Sequence, residues 1–430
     1  ATFDPLEDGM SRRLAVVFGA TCAVACQSPS AGPPPAASAS DAPVAAASTA
    51  AAPQLLPGGI GSRVFVVERE TESLGVYDLS TRTYLASRIR GLGNMRHATM
   101  TFSPDLRWGY VATKSGKLSR IDLAKAERAG DVEVSKNSID IAISQDGRYV
   151  ATAEYQPGGI TILDAQTLAV AKRLPAEIEK NGRKTTSRAT GVVDAPGNRF
   201  VCVLIEGAEI WVIDASGAEP KVERKVKTST DEPYDAMITP DGGWYVVGHM
   251  GSEHVSVLDL RDPNGGVKEI SLRDPKQAFA KTAPVKLPHM ASWAVAGDSV
   301  FVPLVGEPRM VVLDRATWAF KKSVPVRGHP VYSVASPTGS QVWVSFSGEP
   351  HDAFVEVIDA ATLEVVKSIE VGGRIYHLDF TPRGSHVLVS ANKANQLVLI
   401  DATTHQVVDR ETVNSPSGVF GVWRAYKIGL

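Results

Sequence analysis

From about residue 60 onward, short apolar runs alternate with turn residues, and one arrangement keeps returning. Two apolar positions followed by aspartate occur at Val76-Tyr77-Asp78, Ile162-Leu163-Asp164, Val212-Ile213-Asp214 and Val257-Leu258-Asp259. The series continues at Val312-Leu313-Asp314, Val357-Ile358-Asp359 and Leu399-Ile400-Asp401, with an imperfect member at Arg120-Ile121-Asp122. Successive aspartates are 44, 42, 50, 45, 55, 45 and 42 residues apart. A turn followed by an aromatic or β-branched run precedes most of them. Ser103-Pro104-Asp105, Ser144-Gln145-Asp146-Gly147, Thr239-Pro240-Asp241-Gly242, Ser336-Pro337-Thr338-Gly339 and Thr381-Pro382-Arg383-Gly384 are the clear cases. Proline presets φ and glycine supplies positive φ, so these are hairpin turns with a mechanism.

Each unit reads strand, turn, strand, loop, strand, turn, strand, which is one four-stranded propeller blade. An isolated blade exposes both faces of its sheet, so blades must stack in a ring to bury them. Eight aspartates predict an all-β, eight-bladed β-propeller over 61–430. The first unit, from Arg63 to Gly91, has three strands and nothing before them to serve as the innermost. The terminal Gly418–Arg424 segment is a spare strand that fills this place and closes the ring. The two long intervals predict insertions near Ala176–Ser187 and Arg273–Pro288. The aspartates are expected to be structural, each accepting backbone amides of the turn it opens.

Composition narrows the function. The 430 residues carry 45 Lys+Arg against 47 Asp+Glu, so there is no broad basic field and no nucleic-acid partner is expected. Three cysteines supply neither a disulfide framework nor a Cys-x-x-Cys-His motif, so no covalent c-type haem is expected. Arg12 and Arg13 precede an apolar stretch that ends in small residues before Cys26, which describes an export signal over 1–25. Met10 is read as its start, since Ala1–Gly9 are acidic and unlike a signal's beginning. A cysteine directly after the small residues looks like a bacterial lipobox, with Cys26 lipidated. Residues 26–60 are largely Ala, Pro and Ser, a tether that cannot offset the entropy of ordering. The expected location is therefore the periplasm, held to a membrane through the lipid alone. Cys202, in Phe200–Leu204, is read as a small core hydrophobe.

In such a ring, residues at the start of each innermost strand line one mouth. These positions are Arg96-His97, Asn137-Ser138, Arg188-Ala189, Pro233-Tyr234, His289-Met290, His329-Pro330, Tyr376-His377 and Ser415–Gly418. Four of the nine histidines fall within these short windows. Their convergence predicts a site that coordinates a metal or hydrogen-bonds an anionic ligand. His249, His254, His351, His386 and His405 are expected on the surface or within blades. No His-x-x-x-His spacing occurs, so a metal cage made by protein alone is not expected. Neither a Gly-x-Ser-x-Gly elbow nor a phosphate loop is present.

Several segments carry a family resemblance. They include Gly93–Ala98, Asn137-Ser138 with Ala142–Arg148, Ser187-Arg188 with Gly191–Gly197, Glu209–Trp211, Pro233–Ala236, Leu287–Met290 and Ser415–Gly418 with Ile428–Leu430. In these the chain resembles the haem d1 domain of cytochrome cd-type nitrite reductases, and most closely the NirF family of haem d1 biosynthesis proteins. The resemblance implies haem d1 or dihydro-haem d1 as the ligand. It implies His97 as the axial ligand of the haem iron and Arg188 as a partner for the macrocycle's carboxylates. His289 resembles one of two distal histidines of the reductase. The second distal place falls at Tyr234-Asp235 without a histidine, which argues against nitrite reduction. Lack of the c-haem motif argues against both the reductase and the haem-c-bearing final dehydrogenase. Arg96, Tyr234, His329 and His377 complete the expected cofactor-binding set. Candidate catalytic groups, should there be catalysis, are His289, His377 and Tyr234. The resemblance also implies the nitrite reductase and the final haem d1 dehydrogenase as protein partners.

Three readings stay open on the sequence. The first is a protein that binds the cofactor or its late precursor during assembly for denitrification. The second is an enzyme that modifies or dehydrogenates the precursor, and the third is an interaction propeller without a tetrapyrrole.

Overall fold

The computed structural model describes Leu56 and residues 58–429, apart from 181, 230, 231, 275 and 277–292. The expected signal, Cys26, most of the tether, the insertion near 273–288 and His289 lie outside the described residues, wholly or in greater part.

Strand pairing gives eight antiparallel sheets of four strands each. Blades 2 to 8 are consecutive in the chain, spanning 99–133, 137–174, 189–227, 233–271, 294–325, 329–370 and 375–412. Blade 1 combines 63–89 with the C-terminal strand Pro416–Gly421. Burial follows radial position. The two middle strands of blade 1, Arg63–Glu68 and Ser73–Asp78, are buried along their whole length. By contrast, the outermost strand of blade 2, Glu127–Glu133, is exposed or half-buried throughout. A strand covered on both faces needs apolar residues at every position, whereas an outer strand keeps only a partial inner stripe. Cys202 is fully buried, and burial pushes its thiol far up, as a core hydrophobe should be.

The closing strand pairs antiparallel with the first strand through Val64↔Gly421, Phe65↔Phe420 and Val66↔Val419, then a register shift before Glu68↔Pro416. The expected strand to Arg424 is shorter than read. It ends at Gly421, and Val422–Tyr426 form a 3-10 turn. Gly421 is where the chain folds back, and a Cβ there would run into the Trp423 ring. The seam is part of a continuous core. Val64, Phe65 and Val66 of blade 1, Met100 and Phe102 of blade 2, and Leu388 and Leu399 of blade 8 cluster with Val419 and Phe420.

The repeated aspartates do what their spacing predicts. Asp164 Oδ1 accepts the amides of Gln166 and Thr167 at 3.1 and 2.7 Å, and Asp359 and Asp401 repeat the arrangement. These amide donors hold the Asp359 and Asp401 carboxyls below their ordinary range. In the Ser/Thr-Pro turns the leading hydroxyl accepts the amide that starts the next strand, as Ser103 Oγ does from Trp108 and Thr239 Oγ1 from Trp244. The insertion read near 176–187 is a small hairpin, Glu177–Lys180 paired with Arg183–Thr186.

A chain ending at Val413 lacks the closing strand. Burying Val419 and Phe420 contributes about 1.5–3 kcal/mol each, and the exposed edge of Val64–Val66 adds to the loss. That is comparable with the whole margin of a typical domain, roughly 5–15 kcal/mol. The truncated chain should show no cooperative melting transition by near-ultraviolet circular dichroism; an unchanged midpoint would contradict the closure.

Candidate functional site at the propeller mouth

The innermost strands of blades 2 to 5, 7, 8 and 1 begin at Thr99, Asn137, Ala189, Pro233, His329, Ile375 and Pro416, and that of blade 6 is described only from Ala294, part-way along. Each holds the same place in a sheet of the same topology, so their first residues gather at one end of the ring.

Three blades meet there around one arginine. Arg188 precedes the innermost strand of blade 4, and its backbone N–H and Nε donate to Glu206 at 2.8 and 2.6 Å. Its guanidinium lies over the ring of Tyr155 from blade 3, 5.3 Å from the centroid. Tyr155 donates its hydroxyl proton to the Tyr234 hydroxyl of blade 5 at 2.8 Å. Burial alone would raise the Glu206 carboxyl, yet the Arg188 hydrogen bonds hold it below its ordinary value. Burial would likewise lower Arg188, and Glu206 overrides it. Burial, reinforced by Tyr234, pushes the Tyr155 phenol well up, so Tyr155 is a neutral hydrogen-bonding group. A guanidinium has five N–H donors, and Glu206 takes the one at Nε. Half-buried Asp140 accepts from Gly191 N at 2.6 Å and Thr190 Oγ1 at 2.9 Å, and desolvation raises its carboxyl.

His97 is half-buried just before the innermost strand of blade 2, above the buried Leu92 and Met95. Its φ of 56° is left-handed. Turn residues such as Glu72 and Leu106 share that conformation, so it marks a tight turn and not a functional strain. Arg96 is exposed, and its amide donates to Asn94 Oδ1 at 3.0 Å.

On the far side of the ring, His377 has a different position from the one read for it. Its Nδ1 accepts the Val419 amide at 2.9 Å, so the proton sits on Nε2 and is donated to the Tyr332 hydroxyl at 2.5 Å. Burial keeps the ring neutral. Both nitrogens are thus spent joining blades 7, 8 and 1, and His377 is part of the wall. His329 opens the innermost strand of blade 7 half-buried, and its buried Nδ1 has no hydrogen-bond partner. His351, expected on the surface or within a blade, sits beside it: a Cβ on Gly328 would strike the His351 side chain. The His351 Nδ1 is also buried without a partner. Nothing in its local sequence signals this, because a long-range loop brings it to the mouth.

The donor set suits an anionic metal macrocycle. Imidazoles offer ligands for iron, a guanidinium offers donors for carboxylates, and tyrosines flank a planar face. A cleft of about 560 Å³ opens elsewhere, at the other ends of blades 2 and 3, with Asp105, Arg107, Trp108 and Arg120 in its lining. Both arginines there stack on Trp108, at 4.9 and 4.5 Å.

A ring with this mouth is the architecture of a tetrapyrrole-domain propeller, and residues 61–425 match the family described as the cytochrome D1 heme domain. The chain is 37% identical to protein NirF of Stutzerimonas stutzeri over 89% of its own length and 96% of that protein. It is 36% identical to NirF of Pseudomonas aeruginosa over 86% of its length and 94% of the relative. The chain belongs to the NirF family. A solved structure described as dihydro-heme d1 dehydrogenase NirN in complex with DHE shares the fold, with a TM-score of 0.74 and 24% identity. That likeness covers 87% of this chain and 78% of the other.

Glu154, on the second strand of blade 3 opposite Ser138, is buried with Oε1 unpartnered. Burial raises its carboxyl to about 7. The folded protein therefore holds this proton between pH 4.5 and 7 while the unfolded chain releases it. Its contribution to stability is present at low pH and declines as pH rises through 7. Glu154→Gln should flatten that slope in chemical denaturation and be more stable than wild type at pH 8, by about 1–3 kcal/mol. Parallel slopes for the two proteins would refute the assignment.

Proposed function

We propose that this chain binds haem d1 or dihydro-haem d1 at the propeller mouth during assembly of that cofactor for denitrification. One observation carries the reading. In a chain of the NirF family, Arg188, Tyr155 and Tyr234 from three blades converge at the mouth. When bound, the tetrapyrrole supplies an iron centre and peripheral carboxylates.

Arg188, held in place by Glu206 through Nε, offers its remaining N–H donors to a carboxylate. His97 is the proposed iron ligand, and a neutral imidazole suits that role. Tyr234 and Tyr155 orient the ligand as hydrogen-bonding groups, and Arg96 adds positive charge at the exposed rim. His329 offers its unpartnered Nδ1, and His289, outside the described residues, is the further candidate from the family resemblance. The same reading holds the protein in the periplasm through lipid on Cys26, where it meets the nitrite reductase and the final haem d1 dehydrogenase.

Titrating the purified protein with haem d1 under absorption spectroscopy tests this. The wild type should show a shifted spectrum with one tetrapyrrole per chain. Arg188→Ala should weaken binding by roughly tenfold to a hundredfold, the loss of one buried charge-assisted pair. His97→Ala should bind with a different spectrum. An unshifted wild-type spectrum would defeat the reading, and an identical shift in His97→Ala would defeat the ligand assignment.

A further inference from the structure

A second cluster of donors lies one strand outward from the mouth, in blade 5. His249 ends the strand Trp244–His249, and His254 opens the next, His254–Asp259. The register Gly248↔Val255 makes these two histidines the next cross-strand neighbours, and Ser256 faces Glu269 on the outermost strand. Alternation along the strands puts all four side chains on one face of the sheet. One donor atom from each of His249, His254 and Glu269 lies within 4.8 Å of the other two. The imidazole centroids are 4.7 Å apart, with the rings tilted by 31°.

The hydrogen bonds fix which atoms hold lone pairs. Ser256 donates its hydroxyl proton to Glu269 Oε1 at 2.7 Å, so its oxygen accepts at His249 Nε2, also 2.7 Å away. His249 is therefore protonated on Nε2, and its Nδ1 faces Ser229 Oγ at 3.3 Å. His254 Nε2 is 3.0 Å from both Glu269 Oε2 and Ser229 Oγ, and its Nδ1 is 3.1 Å from Ser252 Oγ. The place equivalent to His249 in blade 1 shows what a plain blade network needs. There Glu68 is satisfied by the hydroxyls of Ser73 and Ser87 without any imidazole.

We propose that His249 Nδ1, His254 Nε2 and Glu269 Oε2 form a binding site for a first-row divalent cation of the zinc class. Two imidazoles and a carboxylate are a donor set for such ions, with a fourth position left for water or Ser229. Each histidine already has an outer partner on its non-ligating nitrogen, Ser256 for His249 and Ser252 for His254, as metal-binding histidines do. Binding requires the Nε2 position of His254 to give up its proton, and Ser252 Oγ is placed to accept one at Nδ1, 3.1 Å away. Metal–nitrogen bonds of about 2.0–2.1 Å bring donors to within roughly 3.4 Å of one another, so the cluster tightens by about an ångström. Fully buried His249 provides the rigid side, and the Glu269 side chain, 39% exposed, provides the movable one and the route from solvent. The bound ion ties together the three outer strands of the blade whose innermost strand carries Tyr234.

The test uses tag-free full-length protein and zinc alone, with no tetrapyrrole present. Competition against a chromophoric chelator and elemental analysis read affinity and stoichiometry, and the melting midpoint is read with and without zinc. Wild type should bind one zinc per chain and melt higher when loaded. His254→Ala and Glu269→Gln, both at accessible positions, should each lose about tenfold or more in affinity and the zinc-dependent rise in midpoint. Their midpoints without zinc report that they fold. Absence of zinc binding in the micromolar range would overturn the site. So would both folded variants binding like wild type, or zinc binding lost in His97→Ala and kept in His254→Ala.

Discussion

A four-stranded sheet has two faces to bury, and in this protein each face can be covered only by the next blade. That single requirement fixes the rest. It forces a ring, and a ring built from one chain has a seam that the chain itself must close. The residues at the seam are core residues, with Val419 and Phe420 packed among side chains from blades 1, 2 and 8. The mouth depends on the same closure. His377 takes the Val419 amide on one nitrogen and gives its proton to Tyr332 on the other, so one imidazole reads whether the closing strand is in register. A neutral, buried histidine with both nitrogens engaged is costly to leave unsatisfied, which makes the joint specific as well as stabilising.

The fold was legible because its signals are local and repeated. The Asp turns and Ser/Thr-Pro turns each rest on contacts two to five residues apart, such as Asp164 with Thr167 or Ser103 with Trp108, and repetition by eight removes ambiguity. The boundary that was misread, the end of the last strand, depends on Trp423 folding back over Gly421, a tertiary contact that no periodicity announces. The site was legible only as far as strand starts are. Arg188 and Tyr234 could be picked out because each lies within one residue of the start of an innermost strand. Tyr155, which bridges them, could not, since it lies at the far end of a second strand and arrives through the sheet. His249 and His254 were set aside because metal spacing was sought in helical form. A hairpin places residues five apart face to face, and the register of the strands decides which ones.

Polarity inside the ring is distributed by radius and by end. At the end opposite the mouth, the carboxylates are those of the turn aspartates, ionised and held below their ordinary range by backbone amides. Toward the mouth, and within the innermost strands, carboxyls such as buried Glu154 and Asp379 and half-buried Asp140 are raised by desolvation. These raised carboxyls, with the raised Tyr155 phenol, contribute hydrogen bonds and lessen the negative field at this end of the ring. The same end would repel an anionic ligand if those acids were charged. Arg188 is held by the Glu206 carboxylate, whose hydrogen bonds to it outweigh the burial that would raise that acid.

The mouth is also asymmetric, and the asymmetry bears on how a planar ligand would sit. Arginine and hydrogen-bonded tyrosines gather where blades 3, 4 and 5 meet, while blade 7 presents the unpartnered imidazole nitrogens of His329 and His351. A macrocycle with acidic groups on its edge gains charge-assisted hydrogen bonds only when that edge points toward Arg188. An unpartnered imidazole nitrogen gains by facing a metal or a hydrogen-bonding group of matching sense. The two halves therefore favour one rotational setting of the ligand over its mirror. The rigidity of that preference comes from the ring, since Tyr155, Arg188 and Tyr234 belong to separate blades whose spacing the closed core holds fixed. Orientation at the mouth is in this sense a consequence of closure at the seam.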